Sequence, residues 1–356
     1  MSGHEVEIPD SELLTLNSEL RGSRGVVLIM VLWVIAILSV VVLEFCFAMR
    51  TEVNMTKNFR DELQSYALAQ GQVQRAIAEL IYRHDARIQQ MRKNLKPEEV
   101  PPEKREWITD GRPYFLPPGQ EACEVRVMGE AGKVNINSVS EKTLRKIIGQ
   151  SGLEVDKRDI VVDSIMDWRD PDDFYRVNGA ENDYYQSLKE PYNCKNSNLD
   201  TVEELLLVKG VTPDLFYGKK GRKEEEGAKN DRIGLKDIFS IYSPGEQIDI
   251  NSAALPVLRV VLGLPAEIAQ QIVKAREEKN FQNQPDLLQK VPELSSFMGE
   301  IGSLIVFQST IPYYTIESRA KNKKEGRTIQ GLKVVVKIDE KEKTGYKIIQ
   351  WVDALF

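Results

Sequence analysis

The residues best suited to chemistry are carboxylates crowded between positions 163 and 183. In IVVDSIMDWRDPDDFYRVNGAENDYY these are Asp163, Asp167, Asp170, Asp172, Asp173, Glu181 and Asp183, with Arg169 and Arg176 as local counter-charge. Asp170, Asp172 and Asp173 lie on a proline-containing turn, and the Asn178-Gly179 turn precedes Glu181 and Asp183. A hard cation such as Ca²⁺ takes about 6–8 oxygen ligands, which two such loops folded together could supply. A solvated acidic loop is the plain alternative. The segment is no EF-hand, because no glycine stands at the sixth position from Asp170. Trp168, Tyr184, Tyr185 and Tyr192 nearby indicate a loop that packs.

Other chemistry finds little support. The chain has two histidines, His4 and His84, too few for a histidine metal cluster or a histidine base with a serine or cysteine nucleophile. No G-x-x-x-x-G-K-[ST], G-x-G-x-x-G or G-x-S-x-G is present, and GKKGRKEEEG lacks the strand–helix context of a phosphate loop. A carboxylate pair running hydrolysis is the weakest of the readings, so a non-enzyme is expected. The net charge of −6 argues against a nucleic-acid scaffold. Three cysteines make no disulfide framework; Cys46 lies beside an apolar run, leaving Cys123 and Cys194 as a possible pair in an oxidising compartment.

The elements that must position these residues start with that apolar run. Val26–Leu43 holds eighteen residues without a charge, with Ser39 its one polar side chain, long enough to cross a hydrocarbon core of about 30 Å. Arg21 and Arg24 before it favour a cytoplasmic start. A cleaved secretory signal fits less well, since Glu44, Phe45 and Cys46 follow the run and the small residue, Gly25, precedes it. Acidic residues 1–20 read as a disordered cytoplasmic leader. Beyond the run, Phe59, Leu63, Tyr66, Val73, Ile77 and Leu80 recur at helical spacing, and no proline intervenes from Val26 to Ile81. One continuous helix is expected.

Strands are expected at 124–130 and 133–137, and again at 313–318, 332–338 and 346–351 as an antiparallel meander. Residues 218–234, charge-rich and glycine-punctuated, read as a surface loop. Between the strand groups lies an internal repeat: KVNINSVSEKTLRKIIGQSGL (133–153) echoes QIDINSAALPVLRVVLGLPAE (247–267). Ser138 and Ser252 are candidate helix N-caps. LDTVEELLLVKGVTPDLF (199–216) and QPDLLQKVPEL (284–294) form a second matching pair. These pieces resemble helix-hairpin-helix units, but Pro213 and Pro265 delete N–H groups a phosphate would need, and Asp214 and Glu267 place negative charge there. A membrane-anchored helix-hairpin-helix protein of DNA uptake is therefore the second reading, and no nucleic acid is expected.

Taken together, RGSRG before the apolar helix, VDSIMDWRDPDD, NGAENDYY, LDTVEELLLVKGVT, IDINSAALPVLRVVLGLP and the terminal IIQWVD resemble the K family of general secretion pathway proteins over residues 21 to 356. These are large minor pseudopilins of type II secretion systems. The resemblance implies an α+β, type IV pilin-like fold: a long N-terminal helix on a small antiparallel sheet, with an inserted, mostly helical (helix-hairpin-helix/SAM-like) domain. The expected divisions are a leader at 1–25, the transmembrane helix at 26–48, its periplasmic continuation at 49–90, linker and first strands at 91–137, the insert at 138–308 and the last strands at 309–356. It further implies cleavage by a prepilin peptidase between Gly25 and Val26 and methylation, with Val26, Met30 and Leu43 on the membrane helix. Most pilins carry glutamate at the fifth mature position; here it is Met30, which suits the end of a filament. The implied partners are minor pseudopilins I, J and H, the major pseudopilin and the inner membrane, with the C-terminal part periplasmic. Calcium is implied in the insert, at Asp170, Asp172, Asp173, Glu181 and Asp183.

Overall fold

A computed structural model describes residues 10–93, 106–115, 123–218, 233–309, 311–321 and 328–354. It divides into two units, Met1–Gln64 and Ser65–Phe356.

The first unit is helix. Helix α1 runs from Asp10 to His84, so residues 10–20, expected to be disordered, are helical; residues 1–9 lie outside the described residues. Glu12, Leu13, Leu14, Glu19 and Leu20 are good helix formers, and extending an existing helix costs far less than starting one. From Val26 to Leu43 the helix is apolar on all sides, and its large side chains there are exposed. Trp33 is 67% exposed, as an apolar solvent rather than water would permit. The Ser39 hydroxyl donates to the Ile35 carbonyl at 2.8 Å, so the run's polar side chain is satisfied within the helix.

In the second unit α1 continues to His84 and is followed by α2 (Ala86–Lys93), β1 (Asp110–Phe115), β2 (Cys123–Gly129) and β3 (Val134–Asn135). Next come α3 (Glu141–Gly149), α4 (Val155–Arg169), α5 (Asn182–Gln186), a 3-10 turn at Val202–Leu207, α6 (Pro213–Tyr217), α7 (Leu235–Ile238), β4 (Phe239–Ser240) and β5 (Ile248–Asp249). The remainder is α8 (Leu255–Val260), α9 (Ala266–Glu278), α10 (Gln284–Lys290), α11 (Met298–Ile301), β6 (Ile305–Val306), β7 (Tyr313–Lys321), β8 (Thr328–Ile338) and β9 (Tyr346–Ala354). Most of the charge-rich stretch 218–234 lies outside the described residues.

The main sheet has the order β1-β2-β7-β8-β9, antiparallel throughout. Ala69, Val73, Ala76, Ile77 and Leu80 of α1 pack on Val125, Val127, Ile316, Val334 and Val336. The expected stripe thus faces the sheet from Tyr66 onward, and each large side chain it buries stabilises by roughly 1.5–3 kcal/mol. Phe59 and Leu63, in the first unit, stay 62% and 53% exposed. Strand β1 was hidden by Pro113, which sits on an edge strand where a missing N–H is tolerated. The strand expected at 133–137 shrinks to β3, which pairs in parallel with β4 and not with the main sheet.

Between β2 and β7 lies the helical insert, whose core begins at Val134 and Ile136, ahead of the expected boundary at 138. The sequence repeat is a repeat of hydrogen bonds. Asn137 Oδ1 accepts from Leu199 N at 2.8 Å while its Nδ2 donates to Leu199 O at 3.0 Å. Asn251 makes the same pair of bonds with Phe281, at 2.8 and 2.9 Å. Arg169 donates to the carbonyls of Ile136 and Val139, as Arg276 donates to those of Ile250 and Ala253. The polar turn takes up residues between strand and helix, so Ser140, not Ser138, caps α3 by accepting from Thr143 N. Ser252 caps nothing; α8 starts after Ala254 without a side-chain cap.

One of the two arginines also joins insert to sheet. Arg276 Nη2 lies 2.7 Å from Asp110 Oδ2 on β1, with side-chain exposures of 0% and 5%. Arg112 reaches Asp110 at 2.9 Å and Glu277 at 2.8 Å. Burial alone would raise the Asp110 carboxyl, but hydrogen bonds from Arg112 and the charge of Arg276 hold it below its usual range. Asp110→Ala strands a buried guanidinium, and equilibrium unfolding in denaturant should show a loss of about 3–5 kcal/mol.

Candidate functional site

The acidic segment is where the two copies differ. Arg276 reaches Phe281 through residues 277–280, whereas Arg169 reaches Leu199 only through 170–198. Two carboxylates one turn apart on α4 hold this long loop. Asp163 Oδ2 accepts from Asn178 N at 3.2 Å and Asn178 Nδ2 at 3.1 Å, while its Oδ1 accepts from Arg145 Nη2 at 2.8 Å. Asp167 Oδ2 accepts from Ala180 N at 2.9 Å and Arg176 N at 3.1 Å. Gly179 is required between them, since a Cβ there would fall 1.7 Å from Asp167 Oδ2. Lys209 Nζ closes the turn by donating to Gly179 O at 2.9 Å. Trp168 packs edge-on against Tyr185 and Tyr192, the packing that the aromatic residues foreshadowed.

Of the remaining carboxylates, Asp170 and Glu181 are the unusual ones. Asp170 Oδ1 and both oxygens of Glu181 are buried without a hydrogen-bond partner, and Glu181 is only 2% exposed. Asp173 Oδ1 accepts from Asn182 Nδ2 at 3.0 Å and Asn196 Nδ2 at 2.8 Å. Asp172 Oδ1 accepts from Phe174 N at 2.9 Å, a local turn bond. Asp183 is exposed in the first turn of α5 and is not drawn in with the others. Asn196 joins them unannounced by the sequence reading: its Oδ1 is buried and unpartnered, and its φ of 47° is left-handed. Its signal was its type, because asparagine tolerates that conformation better than most side chains.

Buried acceptors without donors cost about 1–3 kcal/mol each, and a hard cation is one partner that such oxygens take. Among the described residues no three His, Cys, Asp or Glu side chains are grouped to hold a metal alone. The oxygens left without a partner here are Asp170 Oδ1, both of Glu181 and Asn196 Oδ1. Burial pushes the Glu181 carboxyl up to about 7; the Cys194 thiol opposes this, and the charges of Asp167, Asp170 and Asp173 add to it. Burial takes Asp167 to about 6, against the backbone donors that hold its charge.

The possible cysteine pair does not form. Cys194 is free and buried in the insert beside Glu181, with its thiol pushed up to about 12, chiefly by burial. Cys123 is free in the main sheet, its Sγ 3.5 Å from Ser318 Oγ. They belong to different parts of the fold. Gly25 and Val26 lie within α1, and Val26, Met30 and Leu43 are 55%, 62% and 59% exposed. At the hairpin tips Pro213 opens α6 and Pro265 precedes α9, with Asp214 and Glu267 in the first turns. Those helix starts are unsuited to phosphate.

A raised carboxyl pKa has a definite sign. Between the unfolded value near 4.5 and the folded value of about 7, the folded chain keeps a proton on Glu181 that the unfolded chain has lost. Its contribution to stability therefore falls as pH rises through that window. His84, lowered by burial, works in the opposite direction. In chelator, the melting temperature at pH 5 minus that at pH 8 should be smaller in Glu181→Gln than in the parent. Equal differences would mean that Glu181 titrates as it does unfolded.

Comparison with known proteins bears on most of the chain. A family model described as "Type II secretion system (T2SS), protein K" matches residues 126–217, and a helix-hairpin-helix motif model matches 243–298. Type II secretion system protein K of Pseudomonas aeruginosa is 25% identical over 79% of this chain and 80% of its own length. The protein of that name from Pectobacterium carotovorum subsp. carotovorum is 32% identical over 21% of this chain and 23% of its own. Among solved structures, a crystal structure of a GspK–GspI–GspJ complex from the type 2 secretion system of enterotoxigenic Escherichia coli shares the fold. Its TM-score is 0.55 at 15% identity, covering 86% of this chain and all of the matched one. The resemblance met in the sequence holds in family model, relatives and fold, and the chain is a relative of type II secretion system protein K.

Proposed function

We propose that this chain is a minor pseudopilin of a type II secretion system, anchored in the inner membrane with its amino terminus cytoplasmic and its carboxy-terminal part periplasmic. The observation that carries this is the character of α1. It is apolar on all faces from Val26 and, within one unbroken helix, becomes a single stripe buried on an antiparallel sheet. A simple anchor has no need of that continuity. The I and J proteins crystallised with the matched K protein are the expected partners here, together with H and the major pseudopilin, and the mode of action is contact rather than catalysis. Met30 at the fifth mature position and the bulky insert between β2 and β7 suit the tip of the filament, where no subunit need stack ahead.

Processing between Gly25 and Val26 by a prepilin peptidase, with methylation of the new terminus, follows from this reading. Co-expression with the peptidase and amino-terminal sequencing should give Val26 first. An intact Met1, or cleavage after Ala48, would remove the pseudopilin reading.

Calcium belongs to the same proposal. Asp170, Glu181 and Asn196 would hold it, with Asp173 fixing Asn196, and the ion would supply the partners that the buried oxygens lack. Removing it with a chelator should lower the melting temperature of the chain, and Glu181→Gln should abolish that response. A melting temperature indifferent to chelator would sink the cation site while leaving the pseudopilin reading standing.

The DNA-uptake reading is not favoured, because the acidic first turns of α6 and α9 repel a phosphate backbone.

A further inference from the structure

The long loop of the first copy ends in side chains that nothing covers. Phe174 is 84% exposed, Tyr175 63% and Val177 98%. Such exposure is ordinary on a loose terminus, but this turn is held on every side. Asp172 takes the N–H of Phe174, Asp167 those of Arg176 and Ala180, and Asp163 that of Asn178. Arg176 Nη1 reaches Glu141 Oε2 at 2.7 Å, and Asp173 is tied to Asn182 and Asn196. The apolar groups are therefore presented at fixed positions, and the ordering that docking usually costs is largely met before any partner arrives. Apolar surface held in water at roughly 25 cal/mol per Å² is a standing cost that contact would relieve.

Charge says what kind of surface fits. Asp172 and Asp183 are exposed and make no ion pair with the described residues. The nearby cations are engaged elsewhere, Arg176 by Glu141 and Arg169 by the carbonyls of Ile136 and Val139. An apolar tip entered through the exposed carboxylates of Asp172 and Asp173 is repelled by anionic lipid and matched by an apolar cleft with a basic rim. We propose that Phe174, Tyr175 and Val177 form a preorganised docking tip for a partner protein whose apolar cleft is rimmed by lysine or arginine. The inference rests on this loop and its charges, and needs neither the pseudopilin reading nor the cation.

The test is site-specific photocrosslinking of the full-length chain in its native host, with Phe174→p-benzoylphenylalanine as the probe. The expected result is a protein adduct whose crosslinked residue lies in an apolar site flanked by lysine or arginine. No adduct, adducts with lipid only, an adduct on an acidic surface, or the same adduct at equal yield from Val155→p-benzoylphenylalanine would overturn the proposal. In a second arm the probe sits at Tyr175 in the Phe174→Ser, Val177→Ser variant. Loss of two anchor side chains should lower the adduct yield roughly tenfold or more, with the melting temperature unchanged. An unchanged yield would overturn the proposal. So would a fall in melting temperature, since it would mean that these side chains pack on their own chain.

Discussion

Two arginines, each donating from one guanidinium to two backbone carbonyls, fix the shape of the helical insert. Arg169 and Arg276 each reach from the end of a helix to two carbonyls of an asparagine-containing turn. Those bonds hold the turn against the helix, while the asparagine pins the next segment by pairing with both groups of one backbone residue. Arg276 goes further, because its second nitrogen meets Asp110 and so links the insert to the edge of the main sheet. Packing fills in around these contacts: Leu144, Ile147 and Ile148 in one copy, Val257, Leu258 and Val261 in the other.

Helix α1 answers a different constraint. Its side chains are apolar on all faces from Val26 to Leu43 and are buried against protein on one face from Ala69. Small residues at Ala69 and Ala76 let the helix lie close on the sheet, and Val73, Ile77 and Leu80 fill the contact. A sequence meeting both demands without a break is narrowly specified, which is why this stretch says so much about the molecule.

Several elements were legible because one physical rule dominated each. The apolar run, the helical stripe and the last three strands needed only hydropathy and period, and the structure lengthens those strands without moving them. Strand β1 was not legible, because Pro113 reads as a loop until an edge position excuses it. Helix caps were misplaced by two residues, since the turn between strand and helix is built from side-chain bonds that no local propensity reports. At the acidic loop the crowd of carboxylates was plain, but its division of labour was not. Asp163 and Asp167 hold backbone, Asp170 and Glu181 stand unpartnered, and Asn196 arrives from far along the chain. Such assignments depend on what lies opposite each side chain, and only the folded chain supplies that.

The duplication has one more consequence. The second copy passes directly from Arg276 to Phe281 and still closes its turn, so the architecture works as an internal control on the first. Residues 170–198 are thus an addition that shares the core of the frame, since Ala180, Tyr185 and Cys194 are buried in it. A change at those three positions would therefore reach the duplicated frame, whereas a change at the exposed Phe174 or Val177 need not disturb it.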